Sequence, residues 1–165
     1  VEISFKKARA EDRSFLARVC READYHYSKI MPAIYIRLAD KFEKKGLPDD
    51  YTIYIVQACD QSIGFLGFAP LNKKIMYLVG LFMLLDYQRR GYGSLTLNKY
   101  LEELRAAGYE EALLLVHKKA RWAQDFYSKN SFSIQSGHYE EIKNYAGGKM
   151  RAFALPAAYL MKRKL

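Results

Sequence analysis

Residues 75–94 read IMYLVGLFMLLDYQRRGYGS. Ile75 to Leu85 is apolar at nearly every position and predicts a long strand buried on both faces. Asp86 to Gly93 follows as a polar, glycine-bearing loop. Ser94 to Ala107 predicts a helix with Leu97, Leu101 and Leu104 on one side, closed by Gly108. Glycine lets a backbone turn tightly and lets a ligand approach it. The first N–H groups of a helix have no partner inside it, and with the helix dipole they make an anion site. Gln88-Arg89-Arg90-Gly91-Tyr92-Gly93-Ser94 therefore reads as a turn able to hold phosphate, with Arg89 and Arg90 adding charge at its rim. A dinucleotide fingerprint would need glycine at Thr96, and no P-loop pattern occurs. Taken alone, the glycines fit an ordinary strand–helix turn with two solvated arginines equally well.

Working outward, Ile3, Phe5 and Lys7 alternate as a strand, and Glu11 and Asp12 supply helix-start chemistry. Phe15, Leu16, Val19 and Ala23 follow at helical spacing. Tyr25 to Lys29 reads as a break. A second helix is predicted from Pro32 to Lys45, with Pro32 in its first turn, Gly46 past its end and an apolar stripe of Ile34, Leu38 and Phe42. Tyr51 to Ala58 and Ile63 to Ala69 form a hairpin turning at Asp60 to Ser62, and Pro70 to Lys74 is a second turn. Beyond the quoted stretch come a strand at Ala112 to Val116 and a helix at Ala120 to Lys129. Strands at Ser133 to Tyr139 and Met150 to Leu155 flank a loop through Gly147 and Gly148. The basic tail Lys162 to Leu165 is expected to fray. The order implies a mixed α/β fold, a largely antiparallel sheet with one parallel segment around the later helices.

The chain has 165 residues, 50% of them hydrophobic and 27% charged, which suits one domain with a proper core (1–165) and argues against extended disorder. Lys+Arg 27 against Asp+Glu 18 gives +9, so the partner should carry negative charge. Cys20 and Cys59 form no disulfide framework or zinc site, which suits a reducing cytosol. No apolar run reaches the roughly 18 residues of a membrane span, so a cytoplasmic protein without a membrane partner is expected.

Ala123 and Tyr127 lie four apart and share a helix face. A tyrosine phenol is ordinarily protonated at neutral pH and can donate to a leaving thiolate. A buried tyrosine with one satisfied hydrogen bond is the plainer reading. The two clues combine in order and spacing. The strand Ile75–Leu85 leading into Gln88-x-x-Gly91-x-Gly93, followed by Ala123-x-x-x-Tyr127-x-x-x-Ser131-Phe132, resembles the GNAT superfamily of N-acetyltransferases along nearly the whole chain. The resemblance implies an acyl-CoA N-acyltransferase-like fold, with about six to seven strands in a splayed sheet and about four helices. It implies acetyl-CoA as acetyl donor, with CoA as product. Leu81 and Met83 would pair with the pantetheine arm, the N–H groups of Arg90 to Ser94 would hold the pyrophosphate, and Gln88, Arg89 and Ala123 would line the same cofactor site. Tyr127 would protonate the departing thiolate. Ala120 stands where the family often has Asn, and Ser131 where it usually has Gly.

The implied reaction is direct attack by a primary amine on the thioester, with a backbone N–H near Met83 polarising the carbonyl. Many relatives carry a Glu on the strand before the loop. Ile75 to Leu85 holds no acid and no histidine, so the base stays open among His26, Asp49, Asp50 and a water chain, while Asp86 sits too near the phosphates. His117 lines the CoA groove or stays solvated. Phe126 belongs to the core, and Trp122 to the surface. Lys73-Lys74, Arg89-Arg90 and Lys118-Lys119-Arg121 lie towards the phosphate end. A positive surface steers polycations away, so amino acids, peptides or other small amines are expected as acceptors rather than polyamines or aminoglycosides. Dimers are common among relatives, so a homodimer is admitted. Two alternatives are a non-catalytic acyl-CoA sensor and a basic nucleic-acid-binding module; the second lacks any RNP, KH or helix-turn-helix signature.

Overall fold

The computed structural model describes residues 1–30 and 36–165. Its elements are β1 (Ile3–Lys7), α1 (Arg13–Tyr27), α2 (Ile36–Lys45), β2 (Thr52–Ala58), β3 (Gln61–Pro70), β4 (Ile75–Met83), α3 (Tyr92–Ala106), β5 (Glu111–His117), α4 (Arg121–Lys129), β6 (Ser133–Ser136), α5 (Tyr139–Asn144) and β7 (Ala158–Lys164). The seven strands form one open sheet in the order β1-β2-β3-β4-β5-β7-β6. β1 pairs antiparallel with β2, β5 with β7, and β6 with β7. The parallel segment is β4 with β5, in register from Ile75↔Glu111 to Leu78↔Leu114. The mixed, mostly antiparallel α/β architecture is the one the sequence implies.

The chain groups into two compact units, Val1–Gly67 with Gly80–Thr96, and Phe68–Val79 with Leu97–Leu165. In the first, the buried face of α1 (Leu16, Val19, Cys20) packs with Ile53, Ile55 and Phe65 of the sheet and Phe42 of α2. The helical spacing of those α1 residues makes that stripe continuous. In the second, Tyr77, Leu113 and Leu160 from three strands close on Ile142 and Met150. Burial of this kind contributes about 1.5–3 kcal/mol per large side chain and carries most of each unit's stability.

Several expected boundaries move. Helix α1 continues to Tyr27, through the expected break at Tyr25, because Ser28 Oγ and Ile30 N–H cap it on the carbonyls of Tyr25 and Tyr27. The start expected at Pro32, and the side chains of Ile34 and Leu38, lie outside the described residues. The first hairpin turns at Cys59 and Asp60, both left-handed (φ 49° and 61°), so β3 begins at Gln61. Two positive φ values give the primed twist a two-residue hairpin needs. Helix α3 begins at Tyr92 rather than Ser94. Burial on both faces holds for Met76 to Leu78 and again at Met83 and Leu84; Val79 to Phe82 between them are part-exposed. The strand expected at Ser133 to Tyr139 stops at Ser136, and α5 takes over as a fifth helix. Met150 to Leu155 is no strand: Met150 ends in a 3-10 segment, Tyr145–Ala152, whose left-handed Ala146, Gly147 and Gly148 turn the chain.

The largest correction concerns the C-terminal residues. Lys162, Arg163 and Lys164 belong to β7, an interior strand between β5 and β6. Leu160 and Met161 are fully buried, while Lys162 meets Glu111 at 3.7 Å and Arg163 is held by Asn98 at 2.9 Å. Paired cations tolerate a strand position that an unpaired run would not.

One glycine fixes how closely β3 can pass the end of β4. A Cβ on Gly64 would overlap the Phe82 carbonyl oxygen and lie 2.8 Å from Met83 Sδ. Gly64→Ala should therefore cost about 2 kcal/mol or more, read as a lower midpoint in urea with an unchanged slope. A midpoint equal to wild type would remove this close approach as a constraint.

Candidate active site

The exit of β4 is tied down on several sides. Leu84 N–H donates to Ile63 O at 2.9 Å, which holds the strand end on β3. Leu85 N–H donates to Glu22 Oε2 of α1 at 2.8 Å, and Glu22 Oε1 accepts from Arg18 at 3.2 Å. Leu85–Tyr87 forms a 3-10 turn that delivers Gln88. The Gln88 side-chain NH2 donates to Met83 O at 2.9 Å, closing the turn back on the strand. Its amide oxygen faces His26 Nε2 of α1 at 3.2 Å.

After Gln88 the backbone crosses the left-handed region twice, at Arg89 (φ 60°) and Gly91 (φ 85°). Arg90 donates to Asp86 O at 2.9 Å and lies over the Tyr92 ring at 5.7 Å, and Tyr87 meets the same ring edge-on at 5.3 Å. The expected cationic rim is thus split. Both arginines are exposed, but Arg90 is folded back on the loop while Arg89 has the left-handed backbone. The first helical bond is Leu95 N–H to Gly91 O at 3.1 Å. The amides of Tyr92 and Gly93 precede it. No atom beyond the chain neighbours comes within 4 Å of a Cβ built on Gly91. Outward amides, the N-terminus of a fifteen-residue helix, a nearby guanidinium and open space at the glycine fit a diphosphate. Gln88, Arg89, Arg90, Gly91, Tyr92, Gly93 and Ser94 are contiguous in this turn, and Leu81 and Met83 stand on the strand leading into it.

The second predicted segment is α4 and the turn after it. Ala123 is buried, and Tyr127 is half-buried one turn on. Rings of Phe126 (5.0 Å) and Phe132 (5.7 Å) meet Tyr127 edge-on, and withdrawal from water raises its pKa above the ordinary tyrosine value. Ala120 caps the helix without a side-chain bond; Gln124 Nε2 takes up the carbonyls of His117 (3.1 Å) and Lys118 (2.9 Å) instead. Ser131, where a glycine is usual in the signature, adopts φ 67°. Phe132 N–H still reaches Tyr127 O at 3.0 Å, so the glycine-type helix ending survives in a serine at a cost of about 1 kcal/mol.

A polar network here is absent from the sequence reading. Arg163 Nη1 donates to Asn98 Oδ1 and to Asn130 O, both at 2.9 Å; Asn98 Nδ2 donates to Asn130 Oδ1 at 2.9 Å; and Asn130 Nδ2 donates to Phe126 O at 2.8 Å. It locks the end of α4 to α3 and β7. The one local hint was Asn98, a residue of poor helix propensity inside α3.

The open base candidates separate. Asp49 and Asp50 are exposed; Asp50 adds to the burial that pushes the Tyr51 phenol up to about 12. His26 alone is bonded to the glycine-loop segment. His117 accepts from Lys119 N–H at 3.1 Å, and burial, with Lys119 beside it, lowers its pKa. Lys74 pairs with Glu110 at 3.0 Å, and Lys118 donates to Gly137 O at 2.7 Å. Among the described residues no cluster of three or more His, Cys, Asp or Glu is placed to hold a metal, and no helix is long and apolar enough to cross a membrane.

The geometry is that of a mixed open sheet in which β4 delivers a glycine turn to the N-terminus of α3. The family model "Acetyltransferase (GNAT) family" matches residues 16–132, and the chain belongs to that family, whose acetyl donor is acetyl-CoA. Solved structures agree on the fold. The PaiA N-acetyltransferase of Thermoplasma acidophilum, crystallised with coenzyme A, is 21% identical over 100% of both chains, with a TM-score of 0.77. An acetyltransferase of Thermus thermophilus is 15% identical with a TM-score of 0.71, over 100% of this chain and 98% of that one. A GNAT family acetyltransferase of Elizabethkingia anophelis with acetyl-CoA bound is 13% identical with a TM-score of 0.60, over 99% and 98%. No curated protein matches the sequence.

The loop's geometry separates two costs at Gly91. Gly91→Ala meets no protein atom, so only its left-handed backbone is strained, by about 1–2 kcal/mol. It should lower the melting temperature by a few degrees and leave a folded protein. Gly91→Val should in addition lose the acetyl-CoA-induced stabilisation seen in wild type. Full stabilisation of the valine variant would mean that the diphosphate lies elsewhere.

Proposed function

We propose that this protein transfers the acetyl group of acetyl-CoA to the primary amine of an amino acid, peptide or other small molecule. The observation that supports it best is the extent of the family match. It runs through β4, the glycine turn and α4 and ends on Phe132, the last residue of the second motif. In this reading the amides of Arg90 to Ser94 hold the diphosphate. The backbone of Leu81 and Met83 guides the pantetheine arm, and Ala123 lines the cofactor site. Bound acetyl-CoA supplies an activated acyl carbon. The chain supplies alignment, a donor near Met83 to polarise the thioester carbonyl, and protons at two points. Tyr127 gives one to the departing sulfur. Withdrawal from water raises its pKa and so favours the protonated phenol, the state a donor requires.

A non-catalytic acyl-CoA sensor is the second reading. It is favoured by one feature: β4, from Ile75 to Met83, contains no acid.

Three measurements test the proposal. Acetyl-CoA at 100 times its dissociation constant should stabilise the protein by about 2.7 kcal/mol, several degrees in melting temperature. Thiol release should then follow addition of at least one amine from a panel of amino acids, peptides, polyamines and aminoglycosides. Stabilisation with no thiol release from the whole panel would favour the sensor. Spermidine or kanamycin outperforming every neutral and acidic amine would overturn the acceptor class. Tyr127→Phe should lower kcat about 10²-fold and keep the acetyl-CoA stabilisation. Unchanged turnover across pH would remove Tyr127 from the chemistry.

A further inference from the structure

The geometry points to Glu22 of α1 as a positioning residue for the cofactor's diphosphate, acting through the turn that joins β4 to the glycine loop. The inference rests on the placement of the diphosphate in the reading above. Leu85–Tyr87 is a 3-10 turn, and Leu84 stands at its N-cap with no side-chain bond to it. The first N–H groups of a helical turn have no partner inside it, and leucine is among the poorest residues at an N-cap. Glu22 fills that role from 63 residues away: its Oε2 accepts from Leu85 N–H at 2.8 Å. Gln88 closes the other end of the turn. Its Nε2 donates to Met83 O at 2.9 Å, and its amide oxygen faces His26 Nε2 at 3.2 Å. Glu22 and His26 are four apart on α1 and share one face of the helix. A single helix face therefore reaches both ends of the turn.

That face is itself held in place. Arg18, one helical turn before Glu22, donates from Nε to Glu22 Oε1 at 3.2 Å. The carboxylate is thus divided, with one oxygen on the turn and the other on the guanidinium, and this fixes its orientation. Arg18 also offsets a negative charge that would otherwise act on a neighbouring anion site. On the opposite side, Leu16, Val19 and Cys20 bury α1 with Ile53, Ile55 and Phe65. All of these residues and the turn lie in the first compact unit. The exit of the turn sets where the backbone crosses the left-handed region at Arg89 and Gly91, and so where the first amides of α3 are aimed. A side chain can change rotamer to follow a ligand; a backbone amide cannot. A turn that samples several conformations would bind the diphosphate with an affinity reduced by the fraction correctly aimed. Glu22 accordingly contributes to cofactor affinity through Leu85 and leaves the chemical step alone.

The test uses the full chain with CoA as the probe. Glu22→Ala should raise the Kd for CoA about tenfold. Glu22→Gln keeps an oxygen acceptor and should stay within about threefold of wild type. With acetyl-CoA in turnover, Glu22→Ala should raise KM and leave kcat unchanged. The Leu85 amide should exchange with solvent faster in Glu22→Ala than in wild type, and by linkage CoA should slow its exchange in wild type. Wild-type CoA affinity in Glu22→Ala, equal losses in the alanine and glutamine variants, or a lowered kcat at unchanged KM overturns the positioning role. Should Glu22→Ala fail to fold, the wild-type Leu85 amide decides: exchange that CoA does not slow overturns the inference. Gly91→Val, measured alongside, separates the two failures. Retained CoA affinity in that variant means that the diphosphate lies elsewhere, and the reading falls with the inference. Lost affinity in Gly91→Val with full affinity in Glu22→Ala overturns the role of Glu22 alone.

Discussion

The hydrogen bond from Gln88 to the Met83 carbonyl is the constraint on which the loop geometry depends. A strand that ends beside a ligand site must stop pairing without leaving its last carbonyls bare. Gln88 satisfies one of them from five residues downstream, which forces the Leu85–Tyr87 turn between them to be compact. Once that turn is set, the chain can reach Tyr92 in four further residues only by crossing the left-handed region, and it does so at Arg89 and Gly91. The direction of α3, and so the aim of its first amides, follows from that path. Arg90, laid between the Asp86 carbonyl and the Tyr92 ring, braces the same turn from its solvent side.

Each of the two motifs holds one non-glycine residue in the left-handed region. Arg89 and Ser131 are non-glycine residues held at φ 60° and 67°, one in the glycine turn and one in the turn after α4. Each costs about 1 kcal/mol or more and persists because its surroundings determine it. For Ser131 the surroundings are the Tyr127 carbonyl, which accepts from Phe132, and the Arg163–Asn98–Asn130 network on the preceding residue. The arginine of that network comes from β7, so the C-terminal strand completes both the sheet and the setting of α4.

The parts of this arrangement that were legible in the sequence are those governed by local pattern. The apolar run at Ile75, the glycines at 91 and 93 and the Ala123–Tyr127 spacing each follow from periodicity or backbone chemistry within about ten residues. What stayed hidden depends on distant partners. Lys162 to Leu165 looked like a basic, frayed tail, because nothing nearby shows that Glu111 will pair with Lys162 and that Asn98 will accept a hydrogen bond from Arg163. Tyr25 to Lys29 looked like a break because aromatic and polar residues have modest helix propensity, whereas the caps on the Tyr25 and Tyr27 carbonyls, from Ser28 and Ile30, carry the helix through to Tyr27. The half-exposure of Val79 to Phe82 was invisible for the same reason: composition reports that a strand is apolar, not that part of it lacks a covering layer. The link from His26 to Gln88 spans 62 positions and had no local signal at all.

The proton balance of the proposed amine acetylation sets a demand on the Tyr127 environment. The acceptor enters as an ammonium and must lose a proton early; the sulfur leaves as a thiolate and must gain one late. A group that must still hold its proton when the sulfur departs is better kept from water, and the Tyr127 phenol is withdrawn from water among Phe126 and Phe132. Burial disfavours the charged phenolate, so the same phenol moved to an exposed position would lose its elevated pKa and with it the property the proposed role uses.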